Sequence, residues 1–124
     1  TLFMRAALEG RPVTIFGDGS MRRDFTHVDD IVRGVLGAME KAPPGFRAYN
    51  LGSGAPIRLD ALVEAIGDVA KKPLAVERGP VPPGDVDATF ADVSRAKAEL
   101  GYAPRVPLRE GLETVRDALR ADLA

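Results

Sequence analysis

The sequence predicts a small mixed α/β domain whose sheet is completed by something beyond its 124 residues. Helix-period and strand-like apolar patterns alternate along the chain, as α/β organisation requires. An apolar content of 45% gives a chain of 124 residues one modest core and not two independent ones, so residues 1–124 form one domain. The strand-like runs are short and their connections rich in proline, which does not suit a self-contained doubly wound sheet.

Leu2, Phe3, Ala6 and Ala7 mark a short helical face that stops at Gly10 and Pro12. Val13 to Phe16 (VTIF) then reads as a strand, ended by the turn Gly17-Asp18-Gly19. Phe25, His27 and Val28 suggest a second extended segment. Asp29 or Asp30 caps a helix that carries Ile31, Val32, Val35, Leu36 and Met39 on one face and is closed by Pro43-Pro44-Gly45. Ala48 to Leu51 (AYNL) is a brief strand, followed by the loop GSGAP and a helix marked by Leu59, Leu62, Val63, Ile66 and Val69. Leu74 to Glu77 reads as a strand, GPVPPGDVDATF as an ordered loop, and Ala88 to Ala91 as a short extended stretch. Asp92 caps a short helix ending at Gly101, and Pro107 starts a last one through Leu108, Leu112, Val115 and Leu119.

Composition excludes several classes of function. Seventeen basic against eighteen acidic residues leave a formal charge of −1, so no global field holds nucleic acid or an anionic membrane, and any anion site must be local. Without cysteine there is no disulfide, thiolate metal site or thiol nucleophile, and a single histidine cannot build a multi-histidine metal cluster. No apolar run is long enough to span a membrane and no export leader opens the chain, so a soluble, cytoplasmic protein is expected. The opening TLFMRAALEGRP lacks an initiator Met and a capping residue ahead of its helix, and reads like a piece of something longer.

The densest chemistry lies in GDGSMRRDFTHVDDIV, residues 17–32. His27 has Thr26 and Asp29 for neighbours, yet side chains adjacent on an extended chain point to opposite faces, so a structural histidine is the favoured reading. Asp29 and Asp30 stand where a helix needs oxygen acceptors and negative charge. Arg22 and Arg23 diverge on an extended segment, so one can face solvent while the other points into a cleft, where a guanidinium fork suits phosphate oxygens; on composition alone, surface salt bridging is the favoured reading. Gly52-Ser53-Gly54 after a strand has the opening of a dinucleotide fingerprint without its third glycine, and a plain strand-to-helix turn is favoured.

Over nearly its whole length the chain resembles the carboxyl-terminal substrate-binding part of extended short-chain dehydrogenase/reductases that act on nucleotide sugars, above all UDP-glucose and UDP-glucuronate 4-epimerases. The resemblance rests on RPVTIFGDG, MRRDFTHVDDIVRGV, AYNLGSG and PPGDVDATFADVSRAKAELGYAP, in that order and spacing. It implies that Arg23 holds the diphosphate of the nucleotide sugar, that backbone groups near Val13, Thr14 and Phe16 pair with uracil, and that Asp85 binds the ribose hydroxyls. Many relatives carry a second phosphate-binding arginine shortly before that aspartate; Val81, Pro82 and Pro83 stand there, with Arg78 as the nearest substitute.

The same resemblance implies NAD on an amino-terminal Rossmann domain, a catalytic Tyr-x-x-x-Lys pair and a homodimer. Tyr49 is followed four positions later by Ser53 and Tyr102 by Val106, so this chain holds no such pair. The expectation is therefore a carboxyl-terminal fragment with no catalytic residues, no cofactor or metal ligands of its own, and no turnover by itself. A nucleotide-sugar dehydratase, decarboxylase or reductase of the same family remains an alternative, as does a non-catalytic nucleotide-binding module.

Overall fold

The structure, a computed structural model, describes residues 1–123. Helix α1 (Leu2–Glu9) buries Met4, Ala6 and Ala7 and ends at Gly10, whose φ of 72° is the left-handed conformation glycine adopts without a Cβ penalty. Strand β1 (Val13–Phe16) follows, with Val13 and Ile15 inward and Thr14 and Phe16 outward. Strand β2 is only Arg22–Arg23, and α2 spans Val28–Lys41. Then come β3 (Ile57–Arg58), α3 (Leu59–Ala70), β4 (Val76–Gly79), β5 (Ala88–Thr89), α4 (Ser94–Leu100) and α5 (Leu108–Leu123).

Two small sheets carry the strands. β1 pairs in parallel with β4, Val13 opposite Val76 and Phe16 opposite Gly79. In the other sheet β2 is central, antiparallel to β3 and parallel to β5. The main core lies under α1, α3 and α5, where Met4, Ala7, Leu62, Ile66, Val69 and Leu119 pack together. A second cluster, Ala96, Leu100 and Tyr102, packs with Ala38 of α2 and with Tyr49 and Leu51. Its burial follows from helix period: Ala96 and Leu100 stand four apart on α4 and share one face.

Four readings of the sequence are corrected. The extended segment expected at Phe25–Val28 lies instead at Arg22–Arg23, and Val28 is already helical. The cap of α2 is His27, whose Nδ1 accepts the Asp29 N–H at 3.2 Å. Asp29 and Asp30 fall inside the first turn instead. The strand at Leu74–Glu77 is shifted to Val76–Gly79 because its register is set by β1. Ala48–Leu51 is not a strand, since no backbone partner pairs with it among the described residues.

Helix α2 leaves unusual apolar surface, whereas Tyr49 and Leu51 of the Ala48–Leu51 segment are partly buried. Val32, Val35 and Leu36 are about half exposed and Met39 is 78% exposed. The helix has an apolar face, as the period-3.6 pattern requires, but the described residues do not cover it.

Candidate functional site

Arg23 and Asp85 stand 62 residues apart in the chain and meet in space. β2 carries Arg23 at the centre of its sheet, while the loop between β4 and β5 carries Asp85. The Arg23 Nη2 donates to Asp85 Oδ1 at 2.7 Å, with the two side chains 24% and 29% exposed. Nη1 donates to the Arg22 carbonyl at 2.8 Å. The neighbouring Arg22 is exposed, so the two arginines diverge as an extended segment demands.

Two further arginines lie on neighbouring strands and are already engaged. Arg58, opposite Arg22 across the ladder, is bound by Asp60, with Nη2 to Oδ2 at 2.6 Å. The Arg78 Nη1 donates to the Gly17 carbonyl at 3.1 Å, so that side chain serves the Gly17–Gly19 turn.

β1 contributes a different kind of group. Val13 N–H donates to the Ala75 carbonyl and Gly17 N–H to that of Gly79, both at 2.9 Å. In a parallel ladder alternate residues face the same neighbour, so Val13 and Ile15 direct their backbone groups at β4. Those of Thr14 and Phe16 point to the opposite, free edge. Of the three β1 residues singled out from the sequence, Thr14 and Phe16 therefore present open amide and carbonyl groups, and the amide of Val13 is already taken.

Asp24 holds the surrounding segments together, and nothing in its local sequence announced this. Its carboxylate accepts from Ser53 N–H at 3.0 Å, Ser53 Oγ, Gly54 N–H at 3.0 Å, Ala91 N–H at 3.3 Å and Thr26 Oγ1 at 3.3 Å. Burial works to raise its pKa, but the hydrogen bonds from Ser53, Gly54 and Ala91 outweigh this and hold it below the ordinary aspartate value. The signal was spread over residues 53, 54 and 91, and only the folded chain collects it.

These contacts settle the chemistry of the Gly52-Ser53-Gly54 loop. The Ser53 and Gly54 amides that would face a pyrophosphate already donate to Asp24. Gly52 is required for packing: a Cβ there would lie 2.7 Å from the Ala91 Cβ and 2.8 Å from Asp24 Oδ2. The buried Tyr102 hydroxyl holds the loop from behind, donating to the Gly52 carbonyl at 2.9 Å, and burial pushes its pKa up. This chain therefore has no residues that fit a dinucleotide cofactor at that loop.

Asp30 is likewise structural. It is 1% exposed and accepts from the Arg105 and Val106 amides at 2.7 and 3.1 Å and from Arg33, joining α2 to the segment before α5. Burial opposes ionisation, but the two amides and Arg33 more than offset it, so its pKa is lowered. His27 fills its capping role with its side chain only 12% exposed. Among the described residues no group of acidic and histidine side chains forms a metal centre, and no helix is long and apolar enough to cross a membrane.

A cavity of about 620 Å³ opens elsewhere, between α1, α3 and α5, and is lined by Leu2, Phe3, Phe25, Leu62, Leu108 and Leu112 among others. Its lining is mostly apolar, with Thr1, Thr26 and His27 as polar members, and includes neither Arg23 nor Asp85.

Comparison with known proteins converges on one group. Residues 1–52 match the model of the NAD dependent epimerase/dehydratase family. The chain is 39% identical to UDP-glucuronate 4-epimerase 5 of Arabidopsis thaliana over 127 residues, covering 90% of this chain and 29% of that protein. Among solved structures it is similar to a UDP-glucose 4-epimerase of Thermotoga maritima with UDP-glucose (TM-score 0.91, 34% identity, 99% of this chain and 39% of the other). It is also similar to a UDP-glucuronic acid 4-epimerase of Bacillus cereus in complex with UDP-glucuronic acid and NAD (TM-score 0.88, 32% identity, 96% and 38%). The chain spans about a third of the length of the curated relatives it matches.

Proposed function

We propose that the chain belongs to the NAD dependent epimerase/dehydratase family, among extended short-chain dehydrogenase/reductases, and is the nucleotide-sugar-binding domain of an enzyme that epimerises a UDP-sugar at C4. The observation that carries the proposal is the meeting of Arg23 and Asp85 across 62 residues, and the backbone groups of Thr14 and Phe16 that β1 turns away from β4 add to it. Each offers what one part of the ligand needs. Uracil presents an N–H between two carbonyl oxygens, which the open amide and carbonyl groups of Thr14 and Phe16 complement. A carboxylate such as Asp85 accepts from vicinal hydroxyls, and a guanidinium such as Arg23 neutralises a diphosphate.

In this reading the domain binds and orients. It grips the nucleotide at three points and leaves the sugar untethered, which a 4-epimerase needs because the sugar must present both faces to one oxidant. NAD supplies that redox chemistry when bound. The residues that hold it lie in the rest of the polypeptide, since the Gly52-Ser53-Gly54 loop does not fit it. The rest of the polypeptide, a Rossmann domain, would cover the α2 face and pair with Ala48–Leu51; the uncovered Met39 and the unpartnered segment support this. A homodimer and a cytoplasmic location belong to the same reading by family resemblance.

Isothermal titration of UDP into the full-length protein tests the proposal. Loss of a charge-assisted contact to phosphate in Arg23→Ala is expected to weaken binding about ten- to a hundredfold. Equal affinity in wild type and variant would remove Arg23 from the site. Product analysis of the same protein with UDP-sugars separates epimerisation from dehydration, decarboxylation or reduction.

A further inference from the structure

Arg23 stands on strands too short to fix themselves. β2, β3 and β5 are two residues each, and Arg23, the last residue of β2, lies between Ile57 and Thr89. Globular strands usually run about three to ten residues, so a ladder of two is a weak hold. Past its end, Asp24 stands in for the missing rungs. Its Oδ2 accepts the Gly54 N–H, just before β3, at 3.0 Å and the Ala91 N–H, just after β5, at 3.3 Å, so one oxygen clamps both flanking strands. Its Oδ1 accepts from Ser53 N–H, Ser53 Oγ and Thr26 Oγ1. Every one of these contacts needs an acceptor, and only a carboxylate supplies acceptors at both oxygens.

We infer that Asp24 is a positioning residue of the nucleotide site, acting through Arg23 by clamping the strand that bears it. This rests on the reading of Arg23 as the diphosphate ligand. The guanidinium reaches toward Asp85, on the exposed loop ahead of β5, so its aim is set by its own strand. Groups of a binding site must be held within about 0.5 Å to keep their contacts. Loosening the clamp leaves Arg23 its charge and takes part of its aim, so the loss is smaller than that of removing Arg23.

The test titrates UDP into the full-length protein, into Asp24→Asn, Gly52→Ala and Arg23→Ala, and into each of the first two combined with Arg23→Ala. Asp24→Asn sets an amide NH2 against the donors on one side of the clamp. It also removes a negative charge next to Arg23 in the chain, which by itself favours an anion, so weakened binding reports position and not charge. Gly52→Ala presses on Asp24 Oδ2 and the Ala91 Cβ, at 2.8 and 2.7 Å, with every charge kept. Both are expected to weaken UDP binding roughly three- to tenfold, and to change it by less than about twofold once Arg23 is alanine. At saturating UDP the phosphorus-31 resonances in both variants move toward their position in Arg23→Ala, a signature that reduced folding stability does not produce. Should Asp24→Asn fail to fold, Gly52→Ala decides alone. UDP affinity that is unchanged or tighter in the folded variants overturns the inference, and so does a loss of equal size with and without Arg23. If Arg23→Ala itself binds UDP as wild type does, the functional reading falls; if it weakens binding while the clamp variants do not, only the role given to Asp24 falls.

Discussion

Replacing Asp30 with alanine should unfold the joint between α2 and the segment entering α5. The carboxylate is 1% exposed and accepts two backbone amides, from Arg105 at 2.7 Å and Val106 at 3.1 Å. Each amide left without a partner costs about 1 to 3 kcal/mol, and the partly accessible 105–106 segment places both near the lower end. Arg33 loses its counter-ion too, but its side chain is 36% exposed and can turn to water, so the pair adds about 1 kcal/mol at most. Together the loss is about 3 to 4 kcal/mol, a large share of the roughly 6 to 19 kcal/mol that a chain of this size holds. Asp29, one position earlier with its side chain 64% exposed, is the control. Its removal costs only the favourable charge at the helix N-terminus, about 0.5 kcal/mol. Urea denaturation followed by circular dichroism measures both variants. An Asp30→Ala loss within about 0.5 kcal/mol of the Asp29→Ala loss would refute the assignment of Asp30 as a buried tie and restore it as an ordinary helix-start acid.

Acid should act through the same kind of contact: Asp24 and Asp30 are held below 3.8 when folded, so their stabilisation is complete above that value and drains as pH falls through the lower folded pKa. Urea midpoints should thus stay level down to about pH 4 and drop below it, and Asp24→Asn should flatten the drop; an equally steep loss in the variant counts against this. Gly52→Ala places a methyl 2.7 Å from the Ala91 Cβ, forces that backbone to shift, and should cost about 1 to 3 kcal/mol in thermal denaturation, so an unchanged melting temperature contradicts the packing described. The pair Leu36→Lys and Met39→Lys should change the stability of residues 1–124 by about 0.5 kcal/mol or less while markedly destabilising the full-length protein; equal effects in both would mean that the α2 face has no outside partner.

The sequence was most legible where local chemistry decides the structure. α1 with its Gly10 end, β1, α3 and α4 follow from apolar period and glycine or proline punctuation. AYNL misled because its β-rich composition describes a fit to a sheet, and no described strand pairs with it. β2 and β3 escaped because two-residue ladders are set by partners and carry no period of their own. The cap of α2 was misplaced because aspartate is the commoner cap, and only geometry shows that His27 occupies the place. Asp30 and Asp24 were illegible as ties, since their amide donors come from residues 105 and 106 and from 53, 54 and 91. The Arg22–Arg23 pair stood out from its residues, but the choice of Arg23 and the selection of Asp85 came through family resemblance, and their pairing across 62 residues is a finding of the structure.

The Asp24 knot also orders events in time. Its most distant donor, Ala91, lies 67 residues downstream. At a synthesis rate of about 5 to 20 residues per second, that separation is roughly 3 to 13 s. Through that interval the carboxylate lacks its last donor, and the central β2 strand bearing Arg23 lacks β5, which pairs at residues 88–89. The main core waits longer still, since Leu119 of α5 closes it against α1 and α3. In the growing chain the strand that bears Arg23 is therefore completed before the core beneath α1 and α3 is.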